Sequence, residues 1–144
     1  MPDSKALPDR FYRCLQALLD EGLLRRSQDV TLKMLSAPES IVVDTVGTRG
    51  PFSMSGLAKA CGSLPNTMTG IVDRLVRRGV LQRLLSAEDR RLVLVSLTDL
   101  GRQLQANHQQ FLHEYAERLL KRLERNEQKD LVNLLERVTV STRE

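Results

Sequence analysis

The chain has 144 residues, 41% of them hydrophobic and 28% charged, enough for one domain with a hydrophobic core. No apolar run approaches the roughly 20 residues of a membrane span, and Met1-Pro2-Asp3-Ser4-Lys5 lacks the apolar stretch of a signal peptide, so a cytoplasmic protein is expected. The formal charge is +4, and its distribution matters more than its size: between 74 and 91 stand Arg74, Arg77, Arg78, Arg83, Arg90 and Arg91 against only Glu88 and Asp89. Such a cluster suits a polyanion; on charge alone a solvated face is the alternative.

In chain order, Phe11, Leu15, Leu18, Leu19 and Leu23 recur at helical spacing and predict a helix over 9–26. Residues 27–37, with Val30, Leu32, Met34 and Leu35, either prolong it or form a packed connector. Pro38 suits the first turn of a second helix, capped by Ser36 or Ala37, with Ile41, Val42, Thr45 and Val46 inward and a stop between Gly47 and Pro51. A short helix over 54–61 follows, capped by Ser53, with Leu57, Ala58 and Cys61 inward. After the turn Gly62-Ser63-Leu64, a helix over 65–78 buries Met68, Ile71, Val72 and Leu75 and stops at Gly79. Two helices joined by a short glycine-containing turn match the helix-turn-helix pattern.

Strands at 80–85 and 92–97 then enclose a polar turn over 86–91. Thr98 caps a long helix over 99–123 with Leu100, Leu104, Phe111, Tyr115, Leu119 and Leu123 on its apolar side. Asn126 is the expected cap of a last helix over 127–140 carrying Leu131, Leu134, Leu135 and Val138. The fold class is therefore mainly α (α+β winged helix). The apolar stripes of the terminal helices exceed what a middle of about 60 residues can cover. Burial against a second copy resolves this at roughly 1.5–3 kcal/mol per side chain; packing on the module within one chain is the alternative.

The second helix of a helix-turn-helix enters the major groove by its N-terminal part. That places Asn66, Thr67 and Thr69 near base edges or phosphates, with capping of the helix start as the alternative role of Asn66 and Thr67. Arg74 and Arg77, one to two turns on, fall where phosphates lie. At the hairpin tip, Arg90 and Arg91 suit DNA, arginine being favoured in narrow minor grooves. Asp89 would repel phosphate if unpaired; its expected role is to hold Arg91 in an extended pose.

Residues 66–75, beginning Asn66-Thr67-Met68-Thr69, then 78–83, then Glu88-Asp89-Arg90-Arg91, then 95–102, resemble in order and spacing the MarR family of winged helix-turn-helix regulators. The resemblance implies a single MarR-like domain over 1–144, with a DNA-binding lobe at 36–98 and dimerisation helices at 1–35 and 99–144. It implies a homodimer on a pseudo-palindromic double-stranded operator, a repressor released by a small aromatic or anionic effector. Contacts are implied at Pro65, Asn66, Thr67 and Thr69, with Arg91 in the minor groove oriented by Asp89, and Arg90 on the backbone. Two positions depart from the pattern. Leu64 stands where a small polar cap is common, which hands the capping to Ser63, and Gly70 stands where a larger polar residue is frequent.

One branch of the family senses peroxide through a cysteine in the first helix, which makes Cys14, beside Arg10 and Arg13, a redox candidate; an ordinary packed thiol is the alternative. Cys61 reads as core. The two cysteines form no zinc pattern, and His108 and His113 are not at helical metal-pair spacing, so no metal or cofactor is expected. An enzyme is not expected either: the chain has no glycine-rich phosphate loop, carboxylate cluster or nucleophile–histidine pattern. A helical protein-interaction module is the non-DNA alternative.

Overall fold

The computed structural model describes residues 3–29 and 32–141. The elements are α1 (Asp3–Gln28), α2 (Ala37–Arg49), α3 (Met54–Ala60), α4 (Pro65–Arg77), β1 (Leu81–Leu85), β2 (Val93–Leu97), α5 (Asp99–Leu120) and α6 (Arg125–Ser141). They form two compact units, Met1–Gln110 and Phe111–Glu144. No helix among the described residues is long and apolar enough to cross a membrane.

In the first unit, α1 starts six residues earlier than its periodicity suggests and runs through Pro8, which forgoes one main-chain hydrogen bond. Its stripe is solvent-exposed on the single chain: Phe11, Leu15, Leu18, Leu19 and Leu23 are all open. The stretch after α1 is a packed connector rather than more helix. Leu32 and Leu35 are buried, Met34 is exposed, and Val30 lies outside the described residues. Arg26 fixes the connector, donating to the Leu35 carbonyl at 2.8 Å and to Ser40 Oγ at 2.5 Å.

Ser36 caps α2 reciprocally: its Oγ accepts the Glu39 N–H at 3.3 Å, and its own N–H donates to Glu39 Oε2 at 2.8 Å. The inward face of α2 carries Val42, Val43, Thr45 and Val46, while Ile41 is 56% exposed. The buried arc is centred on Glu39, Val42, Val43 and Val46, and Ile41 lies outside it. The helix also continues through Gly47 to Arg49. Beyond it, Phe52 exchanges two main-chain hydrogen bonds with Val95, a one-residue extension of the sheet.

Ser53 caps α3 by accepting the Gly56 N–H at 3.1 Å. Gly62, at φ +62, makes the turn into α4. Helix α4 buries Met68, Ile71, Val72 and Leu75 and ends at Gly79, whose φ of +72 lets the Val80 N–H return to the Leu75 carbonyl at 2.9 Å. Strands β1 and β2 pair antiparallel, Leu81 opposite Leu97 and Leu85 opposite Val93. Leu81, Val95 and Leu97 join Leu57, Met68, Val72, Leu75, Val43 and Leu104 in one core. Cys61 packs against its edge, half-buried.

Thr98 Oγ1 accepts the Gly101 N–H at 3.0 Å, capping α5, and lies 3.0 Å from the Val80 carbonyl. Leu104 is buried and Leu100 half-buried. In the second unit, Phe111, Tyr115 and Leu119 are half-buried, and the Phe111 and Tyr115 rings stack with centroids 6.4 Å apart. Helix α5 stops at Leu120, so Leu123 falls in the following turn. Helix α6 begins before Asn126. Glu127 reaches back to accept the Glu124 N–H at 2.8 Å, which makes Glu124 the capping position and puts Asn126 inside the first turn. Leu131, Leu134, Leu135 and Val138 are exposed.

Candidate nucleic-acid interface

Pro65, Asn66, Thr67 and Thr69 are all exposed on the first turns of α4. No side chain caps this helix start. Ser63, the expected substitute for Leu64, instead points its hydroxyl at the Leu64 carbonyl, 3.4 Å away. Pro65 at the first position has no N–H to satisfy, but the following main-chain donors face outward with the positive end of the helix dipole. The Thr69 hydroxyl donates to the Pro65 carbonyl at 2.9 Å, which leaves its lone pairs and methyl group outward.

The arginines of this region divide into two sets. Arg74 and Arg78 converge on Glu39: Arg74 Nε is 3.6 Å from Oε1 and Arg78 Nη1 3.2 Å from Oε2. Arg83 on β1 pairs with Asp73 at 2.5 Å, which neutralises an acid on the outward side of α4 and ties the helix to the hairpin. Arg77, Arg90 and Arg91 have no ion-pair partner among the described residues. Arg74, expected to meet phosphate, is thus partly engaged within the chain.

The hairpin tip is held by its main chain. Ser86 Oγ accepts the N–H groups of Glu88 and Asp89 at 3.3 Å each, the Ser86 N–H donates to the Leu92 carbonyl at 2.8 Å, and the Leu92 N–H to the Asp89 carbonyl at 2.9 Å. Asp89 Oδ1 accepts the main-chain N–H of Arg91 at 2.9 Å. Asp89 therefore acts on the Arg91 backbone and leaves the guanidinium unpaired.

Glu39 was not singled out by charge or periodicity, yet the motif Ser36-x-x-Glu39 ahead of an apolar run is a capping-box signature. Its carboxylate is buried and links α2 to the end of α4. Burial pushes the carboxyl up, but the Ser36 N–H and the Arg78 guanidinium outweigh it and hold the group below its ordinary value. Its stabilising contribution is therefore complete above the ordinary carboxylate range and is lost as the pH falls through the depressed value. Glu39→Gln should lose about 1–2 kcal/mol at pH 7. The gap to the wild type should close in acid, as urea midpoints at pH 7 and pH 3 would register; a gap constant with pH would deny the carboxylate this role.

A second junction joins α1, α2 and α5. Arg26 Nη1 lies 3.2 Å from His108 Nδ1, and Gln109 donates to Asp44 at 2.9 Å. Burial, then the Arg26 charge, lowers the His108 pKa against an opposing effect of Asp44. Cys14 is exposed on α1 and free of a disulfide. Among the described residues, no three His, Cys, Asp or Glu side chains are arranged to hold a metal ion.

The core helices, the two-stranded wing and its outward arginines compose a winged helix, and residues 35–93 match the model of the MarR family. The chain thus carries a MarR-like segment, 59 of its 144 residues. It is similar to the HTH-type transcriptional regulator YfiV of Bacillus subtilis, 34% identical over 85 residues. That match takes in 59% of this chain and 52% of YfiV, so the chain spans about half the length of the curated relative it matches. Among solved structures, FabT of Streptococcus pneumoniae in complex with DNA superposes with a TM-score of 0.75 at 23% identity, over 91% of this chain and 96% of FabT. BpsR of Bordetella bronchiseptica, whose DNA binding is regulated by 6-hydroxynicotinic acid, does so with a TM-score of 0.66 at 25% identity, over 88% of this chain and 91% of BpsR. At such identities the likeness speaks for the MarR fold.

Proposed function

We propose that this chain is a homodimeric, sequence-specific DNA-binding transcriptional regulator, a cytoplasmic repressor released by a small aromatic or anionic effector. One observation carries the DNA reading. A single lobe presents an uncapped polar helix start and a wing tip whose two arginine guanidinium groups have no ion-pair partner among the described residues. Pro65, Asn66, Thr67 and Thr69 would meet the major groove, Arg77 and the engaged Arg74 the phosphates, Arg91 the minor groove and Arg90 the backbone, with Asp89 bracing the wing. YfiV's description as a regulator and FabT's capture on DNA support it, and BpsR's response to 6-hydroxynicotinic acid supports the effector.

The dimer rests on exposed apolar faces of α1 and α6, which a second copy would cover, with 36–98 as the DNA lobe and 1–35 and 99–144 as dimerisation helices of one domain over 1–144. Selection of duplexes from a randomised pool by the full chain tests the function. A recovered consensus with two-fold symmetry is expected, and no enrichment over a random duplex would refute it. On the recovered duplex, Arg77→Ala should reduce the slope of log affinity against log salt by about one unit and weaken all sequences alike. An unaltered slope would take Arg77 off the phosphates.

A further inference from the structure

Gly70 lies at the centre of the solvent side of α4. Met68, Ile71, Val72 and Leu75 turn inward, and at 100° per residue the opposite side carries Asn66, Gly70, Asp73 and Arg77. Glycine is the least favourable ordinary residue in a helix interior. The two usual structural reasons for tolerating it are both missing at this position. Its backbone is ordinary right-handed helix, the positive-φ glycines being Gly62 and Gly79. Its surroundings are open: a Cβ at Gly70 would meet only Arg74 Nη1, at 3.7 Å, an ordinary van der Waals contact. At Gly101 the same Cβ would fall 2.2 Å from a main-chain oxygen. The isolated chain thus loses helix stability at position 70 and gains no packing in return.

What the missing side chain does create is a notch in the outward ridge of α4, one residue wide, with Asn66 a turn before it and Arg77 two turns beyond. A helix with its side chains is about as wide as the major groove, so the side chains at the middle of the outward face limit how deep it can sit. We propose that Gly70 is a specificity-determining residue: the bare main chain at 70 seats against base edges on the groove floor, and this depth brings Asn66 and Thr69 within reach of them. This rests on the DNA-binding reading above. The compatible partner is a major-groove edge that accepts close approach of a Cα–H rather than a hydrogen-bonding side chain.

The experiment compares full-length wild type and Gly70→Ala in two measurements. One is the melting temperature of the free protein; the other is affinity for the duplex selected by the wild type and for a random duplex of equal length. The free variant should melt higher by about 3 °C, because alanine favours the helix and nothing resists its Cβ. Its affinity for the selected duplex should fall on the order of tenfold, with random-duplex affinity within about twofold of wild type. Stabilisation with undiminished preference for the selected duplex would overturn the proposal, since depth of seating would then not matter. A lower melting temperature would also overturn it, because the glycine would then serve the fold. If the wild type enriches no duplex at all, the DNA reading itself falls, and this inference with it; a wild type that selects a sequence which Gly70→Ala still prefers leaves that reading standing and removes only the role of Gly70.

Discussion

Gly101→Ala should lower the melting temperature by about 10 °C. Gly101 is buried in the first turn of α5, and a Cβ there would lie 2.2 Å from the Val80 carbonyl oxygen and 3.3 Å from Leu97 Cβ and Cδ2. The nearest obstacle is main chain at the base of the wing, not the end of a flexible side chain. That same carbonyl accepts the Thr98 N–H at 3.1 Å and stands 3.0 Å from the Thr98 hydroxyl. Relief of the clash moves α5 away from β1 and disturbs the Thr98 cap. Overpacking of this kind costs about 3 kcal/mol, and a weakened cap adds up to about 1 kcal/mol. Thermal melts and urea midpoints would measure the change. A variant melting within about 2 °C of wild type would mean that α5 does not press on the wing base as closely as these distances state. The same substitution at Gly70 is expected to act in the opposite direction, because only its surroundings differ.

The contrast bears on what a sequence can reveal. The buried stripe of α4, its stop at Gly79, the Ser53 and Thr98 caps and the two strands were all legible, because local spacing and local chemistry decide them. The face of α2 was half legible. Four β-branched residues from Ile41 to Val43 and Val46 fit more than one arc, and the tertiary neighbours choose Val43 over Ile41. The start of α6 was misplaced because Asn126 is a good cap by type, whereas the Glu127 carboxylate already serves the Glu124 N–H. At the candidate site, the exposed polar residues of α4 and the wing arginines could be located from spacing. Their pairing could not: Asp73 with Arg83, and Glu39 with Arg74 and Arg78, join residues on different elements, and no periodicity within one element encodes them. These pairings decide which arginines are free. Of the six arginines from 74 to 91 they leave Arg77, Arg90 and Arg91 without an ion-pair partner among the described residues, and they place Arg74 under partial internal claim.

Arg91→Ala should weaken binding to the selected duplex by about 1–3 kcal/mol, roughly 5- to 150-fold, the largest functional loss expected from one side chain here. The guanidinium has no partner among the described residues, so its removal leaves no buried charge unpaired and should not alter the melting temperature. An arginine in a narrow minor groove gains from concentrated negative potential, and alanine loses that gain entirely. Unchanged affinity would remove the wing from the interaction. Asp89 provides the finer test, because its carboxylate holds the Arg91 main-chain N–H at 2.9 Å and not the guanidinium. Asp89→Asn retains a side-chain oxygen for that hydrogen bond and removes a charge that repels phosphate, so its affinity should equal or exceed wild type. Asp89→Ala removes the same charge and the acceptor together; loss of the hydrogen bond, about 1 kcal/mol, should make it roughly fivefold weaker than Asp89→Asn. Both variants carry the same net charge, so the difference between them isolates the geometry of the wing tip from its electrostatics. Equal affinities for the two would mean that the brace acts through charge on the guanidinium, and that the main-chain hydrogen bond has no part in presenting Arg91 to the groove.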